Sequence, residues 1–120
     1  MVFGDGERPL YEIKANLFKG LSHPYRIRVL EILAAADEVA VADILTRTGL
    51  EASHLSQHLS VLRRYGLVVS ERRGSVVYYR LAHPQVTGLL AVARELLTEI
   101  VRGAGQARDS ARALPDIATR

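Results

Sequence analysis

Ser53, His54, Ser56, Gln57, Ser60, Arg63 and Arg64 are interleaved with Leu55, Leu59 and Leu62 in the middle of the chain. The leucines keep the i, i+4, i+7 spacing that gathers them on one stripe of a helix. At about 100° per residue, the opposite face carries Ser53, Gln57, Ser60 and Arg64, with Ser56 and Arg63 on one flank and His54 on the other. Hydroxyls and a carboxamide can bond base edges in a major groove about 12 Å wide, and arginines near the helix end can hold phosphates. Further on, Arg72 and Arg73 stand directly before Gly74-Ser75. A turn projecting there would reach phosphates or an adjacent groove. From Ala52 to Arg80, five arginines face one acid, Glu71, a net of +4 in a chain whose total is +3. Any exposed amphipathic helix is polar outside, so the helix face alone argues weakly for nucleic acid. Two basic elements side by side argue for it more strongly.

The elements that must position these residues are legible in the periodicity. A helix is predicted from Pro9, with Leu10, Ile13, Leu17 and Leu21 on one side and Gly20 near its end. Ser22-His23-Pro24 opens a second, whose Ile27, Val29, Leu30, Ile32 and Leu33 make it central to the core. A short third helix spans about Val41 to Thr48 and stops at Gly49. The polar-faced helix then runs from Glu51-Ala52-Ser53 to Tyr65, stopped by Gly66. Here the period changes. Leu67 to Arg73 and Val76 to Leu81 read as strands joined by the Gly74-Ser75 turn. Pro84 starts a last helix with Val86, Leu89, Leu90, Ala93, Leu96, Leu97, Ile100 and Val101 on its apolar stripe.

That order predicts a mainly α chain with a β-hairpin wing (α+β): a winged helix-turn-helix, flanked by one helix at each end. The expected boundaries are a loose tail over 1–8, the domain over 9–103, and a tail or short sixth helix over 104–120. The apolar stripe continues past the point where a small core is satisfied. A homodimer interface is therefore expected from Leu10, Ile13 and Leu17 with Leu89, Ala93, Leu96, Leu97 and Ile100.

Composition narrows the remaining classes. The 120 residues suit one domain, and the chain contains no cysteine, which removes disulfides, thiolate catalysis and cysteine-rich zinc sites. No phosphate-cradling glycine loop, paired-carboxylate pattern or nucleophile motif is present, so no enzyme and no cofactor are expected. No apolar run nears the ~20 residues that span a bilayer, and Met1 to Arg8 do not resemble a secretory signal, so a cytoplasmic location is expected. Each of the four histidines has a plain expected role. His23 is a cap or turn residue before Pro24, His58 a half-buried neighbour of the leucine stripe, His54 an outward group able to touch DNA, and His83 either a cap of the last helix or a member of an intersubunit site. No metal site is expected, because an isolated imidazole does not hold zinc. Strand alternation puts Val77, Tyr79 and Leu81 on one face, with at least one tyrosine used in packing.

Three ordered segments, Leu21-Ser22-His23-Pro24-Tyr25-Arg26-Ile27-Arg28-Val29-Leu30, Ser53-His54-Leu55-Ser56-Gln57-His58-Leu59 and Glu71-Arg72-Arg73-Gly74-Ser75-Val76-Val77-Tyr78-Tyr79-Arg80-Leu81, resemble the ArsR family of small bacterial repressors. The resemblance runs from roughly Leu10 to Val101. It implies a homodimeric winged helix-turn-helix that binds a palindromic operator in double-stranded DNA and leaves it when an effector binds. By this match Ser53, His54, Ser56 and Gln57 read bases or phosphates, and Arg63 and Arg64 support the backbone. The chain departs from the metal-sensing members. Val41-Ala42-Asp43-Ile44-Leu45 holds no Cys-x-Cys motif, and no second histidine or matching carboxylate set follows His83. The effector stays unassigned. The competing reading is a winged-helix module that binds protein without touching DNA, which would want an apolar or acidic fourth helix.

Overall fold

The computed structural model describes residues 8–109, which form two compact units divided between Thr87 and Gly88. The first holds α1 (Leu10–Leu21), α2 (Pro24–Ala34), β1 (Val39–Ala40), α3 (Val41–Thr48), α4 (Ala52–Arg64), β2 (Val68–Arg73) and β3 (Val76–Leu81). The last helix, α5 (Gln85–Asp109), begins in the first unit, and its remainder makes up the described part of the second. Residues 1–7 of the expected tail and 110–120 of the expected C-terminal segment lie outside the described residues.

Local chemistry explains where the elements begin and end. Pro24 occupies the first turn of α2, where its missing N–H costs nothing. His23 caps the same helix, its Nδ1 accepting the Tyr25 backbone N–H at 3.1 Å. Gly49 ends α3 at φ 70°, donating its N–H to the Leu45 carbonyl at 2.8 Å. This left-handed cap suits a residue without a Cβ. Gly74 takes φ 63° in the turn between β2 and β3.

The core of the first unit is built on α2, whose Val29, Leu30, Ile32 and Leu33 are buried. Against it pack α3, α4 and β3, bringing Ile44, Leu55, Leu62 and Tyr79 into the same interior.

The sheet has one strand more than the hairpin expected from sequence. Its order is β1-β3-β2, antiparallel throughout, with Val39 opposite Tyr79 and Ala40 opposite Tyr78. Two residues are too few to show alternation, so β1 carries no periodic signal. The second difference is the end of α5, which passes through Gly103 and Gly105 to Asp109. A helical glycine costs about 1 kcal/mol relative to alanine, a penalty that does not by itself stop a helix. The expected break at 103 is thus absent, and residues 104–109 belong to α5 rather than to a separate sixth helix.

α1 meets the end of α4 at Gly20, where a Cβ would lie 2.6 Å from Cγ of Tyr65, the residue that caps α4. Arg26 of α2 ties down the same end of α1, donating through Nε to the Gly20 carbonyl at 2.7 Å. Gly20→Ala should therefore destabilise the protein by about 1–3 kcal/mol, the usual cost of overpacking, despite alanine's better helix propensity. Urea unfolding should show a lower midpoint at unchanged slope. An unchanged midpoint would mean that α1 and the Tyr65 ring separate freely.

Candidate nucleic-acid interface

α4 is held by its leucines. Leu55, Leu59 and Leu62 are 1%, 3% and 0% exposed, so the rotation of the helix is set by the core. Ser53, His54, Ser56, Gln57, Ser60, Arg63 and Arg64 are all exposed as a consequence. Arg63 and Arg64 lie in the last turn, where cations complement the helix dipole.

Beside that face a groove of about 610 Å³ opens between α4 and the wing. Ser56, Ser60 and Arg63 line it from α4, and Ser70, Arg72 and Tyr79 from the sheet. Two guanidiniums and several hydroxyls in one open groove offer donors to an anionic backbone. Tyr79 sits in the floor, 6% exposed, and its hydroxyl accepts a long hydrogen bond (3.4 Å) from Nη1 of Arg63. The neighbouring strand and helix thus share one polar contact. Strand alternation separates Tyr79 from Tyr78, and it is Tyr79 that is buried. Its bond to Arg63 was hidden because it depends on the register between hairpin and helix.

The two wing arginines part company. Successive strand residues point to opposite faces, and only Arg72 lines the groove. Arg73 is ion-paired to Glu38, in the segment before β1, and to Glu71 at 2.9 Å, and it stacks over the Tyr78 ring at 3.9 Å. The hydrogen bond with Glu38, opposed by desolvation and aided by the charges of Glu38, Glu71 and Tyr78, raises the Arg73 pKa above the ordinary arginine value. Glu38 stands far from the wing along the chain and belongs to no motif, so nothing in the sequence pairs it with Arg73.

The expected dimer residues divide by exposure. On α1, Leu10 is exposed while Ile13 and Leu17 are half-buried. On α5, Leu89 is half-buried, and Ala93, Leu96, Leu97 and Ile100 are exposed. Val92 and Val101 are exposed as well. No described helix is long and apolar enough to cross a membrane, and among the described residues no cluster of three or more histidines or carboxylates could hold a metal ion.

A helix-turn-helix domain model matches residues 21–71, the stretch from the end of α1 into β2. Rv0081 of Mycobacterium tuberculosis, an uncharacterised HTH-type transcriptional regulator, is 48% identical over 94 residues, covering 78% of this chain and 82% of that protein. Its crystal structure superposes with a TM-score of 0.74 at 45% identity, over 81% of this chain and 97% of the other. The solution structure of a homodimeric winged helix-turn-helix DNA-binding domain from Mycobacterium bovis, described as a possible ArsR-family regulator, gives 0.68 at 34% identity over 80% and 90% of the two chains. The chain belongs to the ArsR family of winged helix-turn-helix transcriptional regulators. In ArsR terms α3 and α4 are the helix-turn-helix and β2–β3 the wing, the layout expected from the sequence.

Proposed function

We propose that the chain is a homodimeric, sequence-specific DNA-binding repressor that occupies an inverted-repeat operator. The groove between α4 and the wing carries this reading, because it sets Arg63 and Arg72 beside an exposed, polar helix face. The homodimeric DNA-binding description of the M. bovis relative supports it. In this reading α4 enters the major groove, where Ser53, His54, Ser56 and Gln57 meet base edges or adjacent phosphates. Ser60, Arg63, Arg64 and Arg72 hold the backbone, and Arg73 braces the wing through Glu38. The exposed apolar residues of α5 meet a second copy, and occupancy of the operator blocks transcription.

Salt titration tests the backbone contacts. Each phosphate contact contributes a slope of about −0.9 in log affinity against log salt. Arg72→Ala should weaken binding to every duplex and reduce that slope by about one. Arg73→Ala should leave the slope unchanged. Equal slopes for wild type and Arg72→Ala would overturn the assignment of the groove to phosphates.

A further inference from the structure

α4 carries a second cluster besides its exposed polar face. His58 is half-buried, and its ring lies 4.4 Å, centroid to centroid, from that of His23 at the start of α2. The Tyr25 ring stands 6.2 Å from it. The groups that act on His58 are therefore His23, Tyr25 and Arg26 from α2 and His54 from its own helix. Arg26 is held in place by its bond to the Gly20 carbonyl. The charges acting on His58, those of His23, Arg26 and His54, are all positive when present.

His23 adds a second constraint. Its Nδ1 accepts the Tyr25 N–H as the cap of α2, which requires that nitrogen to be unprotonated. A proton there removes the cap and sets a cation on the positive end of the helix dipole. One proton on either ring thus acts on the same contact.

We propose that the His23–His58 pair is a proton-sensitive joint between α2 and α4, which loosens the seating of α4 on mild acidification and so lowers discrimination between operator and random DNA. The consequence for DNA rests on the function proposed above; the joint itself does not. Burial, first, and then the positive neighbours hold the His58 pKa below the ordinary histidine value. The folded form binds this proton less tightly than the unfolded chain. The contribution to stability is whole above about pH 6.5 and is lost as pH falls from there through the lowered value. Acid also adds positive charge, which strengthens binding to any duplex. The ratio of operator to random affinity therefore separates the joint from a general charge effect.

The experiment uses the full chain, a duplex selected from a random pool at about pH 7.5, and a scrambled duplex of equal length. Between about pH 7.5 and 5.5 the wild-type ratio should fall fivefold or more, the lower end of ordinary coupling between sites. His58→Gln and His23→Asn, which keep polarity and, for asparagine, a capping oxygen, should make that fall clearly smaller than in the wild type. In the absence of DNA, the wild-type melting midpoint should drop over the same interval by more than that of His58→Gln. Equal drops in the two proteins, or a wild-type ratio independent of pH, would overturn the proposal. Failure to select any duplex at pH 7.5 would sink the DNA reading instead, and the melting comparison would then decide the joint alone.

Discussion

Replacing Leu97 and Ile100 together with glutamate should convert the protein to a monomer and abolish operator binding in the same step. Both side chains are large, apolar and exposed, 53% and 43% respectively, on the same helix as Val92, Leu96 and Val101. Contiguous apolar exposure of this kind marks an interaction surface. In the proposed dimer four such side chains would be withdrawn from water. Even at half the value of full burial they contribute roughly 3–6 kcal/mol. The glutamates add the cost of desolvating four carboxylates without partners. Dimer dissociation should strengthen more than about a hundredfold. Operator binding should follow, because one short recognition helix reads only a few base pairs, whereas two related by a twofold axis enter successive major grooves about 34–36 Å apart. Sedimentation of the double variant beside an operator titration checks both halves. A monomer that retains full operator affinity would show that pairing through α5 is not what organises binding.

Much of this architecture is written locally. Leu55, Leu59 and Leu62 at helical spacing set the rotation of α4, and they alone determine which polar residues face outward. Gly49 and Gly74 mark the turn before α4 and the turn of the wing because both take a positive φ. The features that stayed hidden are those made by contacts distant in sequence. β1 exists because two residues find the edge of β3, and a two-residue strand has no period of its own. Arg72 and Arg73 look equivalent in sequence, and the register of the hairpin separates them, sending one into the groove and the other to Glu38, 35 residues away. The contact between His23 and His58 joins the cap of one helix to the flank of another. Each residue was legible alone, and their juxtaposition was not. The end of α5 escaped for a different reason: a glycine signals a helix stop only when nothing else outweighs its cost of about 1 kcal/mol.

The proposed reading of bases by α4 rests chiefly on Gln57. It is exposed near the middle of the outward face, with Ser53 one turn before it and Ser56 and Ser60 beside it. A carboxamide can pair bidentately with an adenine edge, a contact worth about 1–3 kcal/mol of discrimination. Gln57→Ala removes that contact without touching the leucines or the arginines. Its loss should fall on the operator and leave random DNA nearly unaffected. The decisive measurement is a titration of wild type and Gln57→Ala against a selected operator and a scrambled duplex at one salt concentration. The wild type should bind the operator at least about a thousandfold more tightly than the scrambled duplex, and the variant should lose about five- to 150-fold on the operator alone. Equal affinity of the wild type for both duplexes would contradict sequence-specific reading by this helix, and equal losses on both would contradict the role of Gln57 in it.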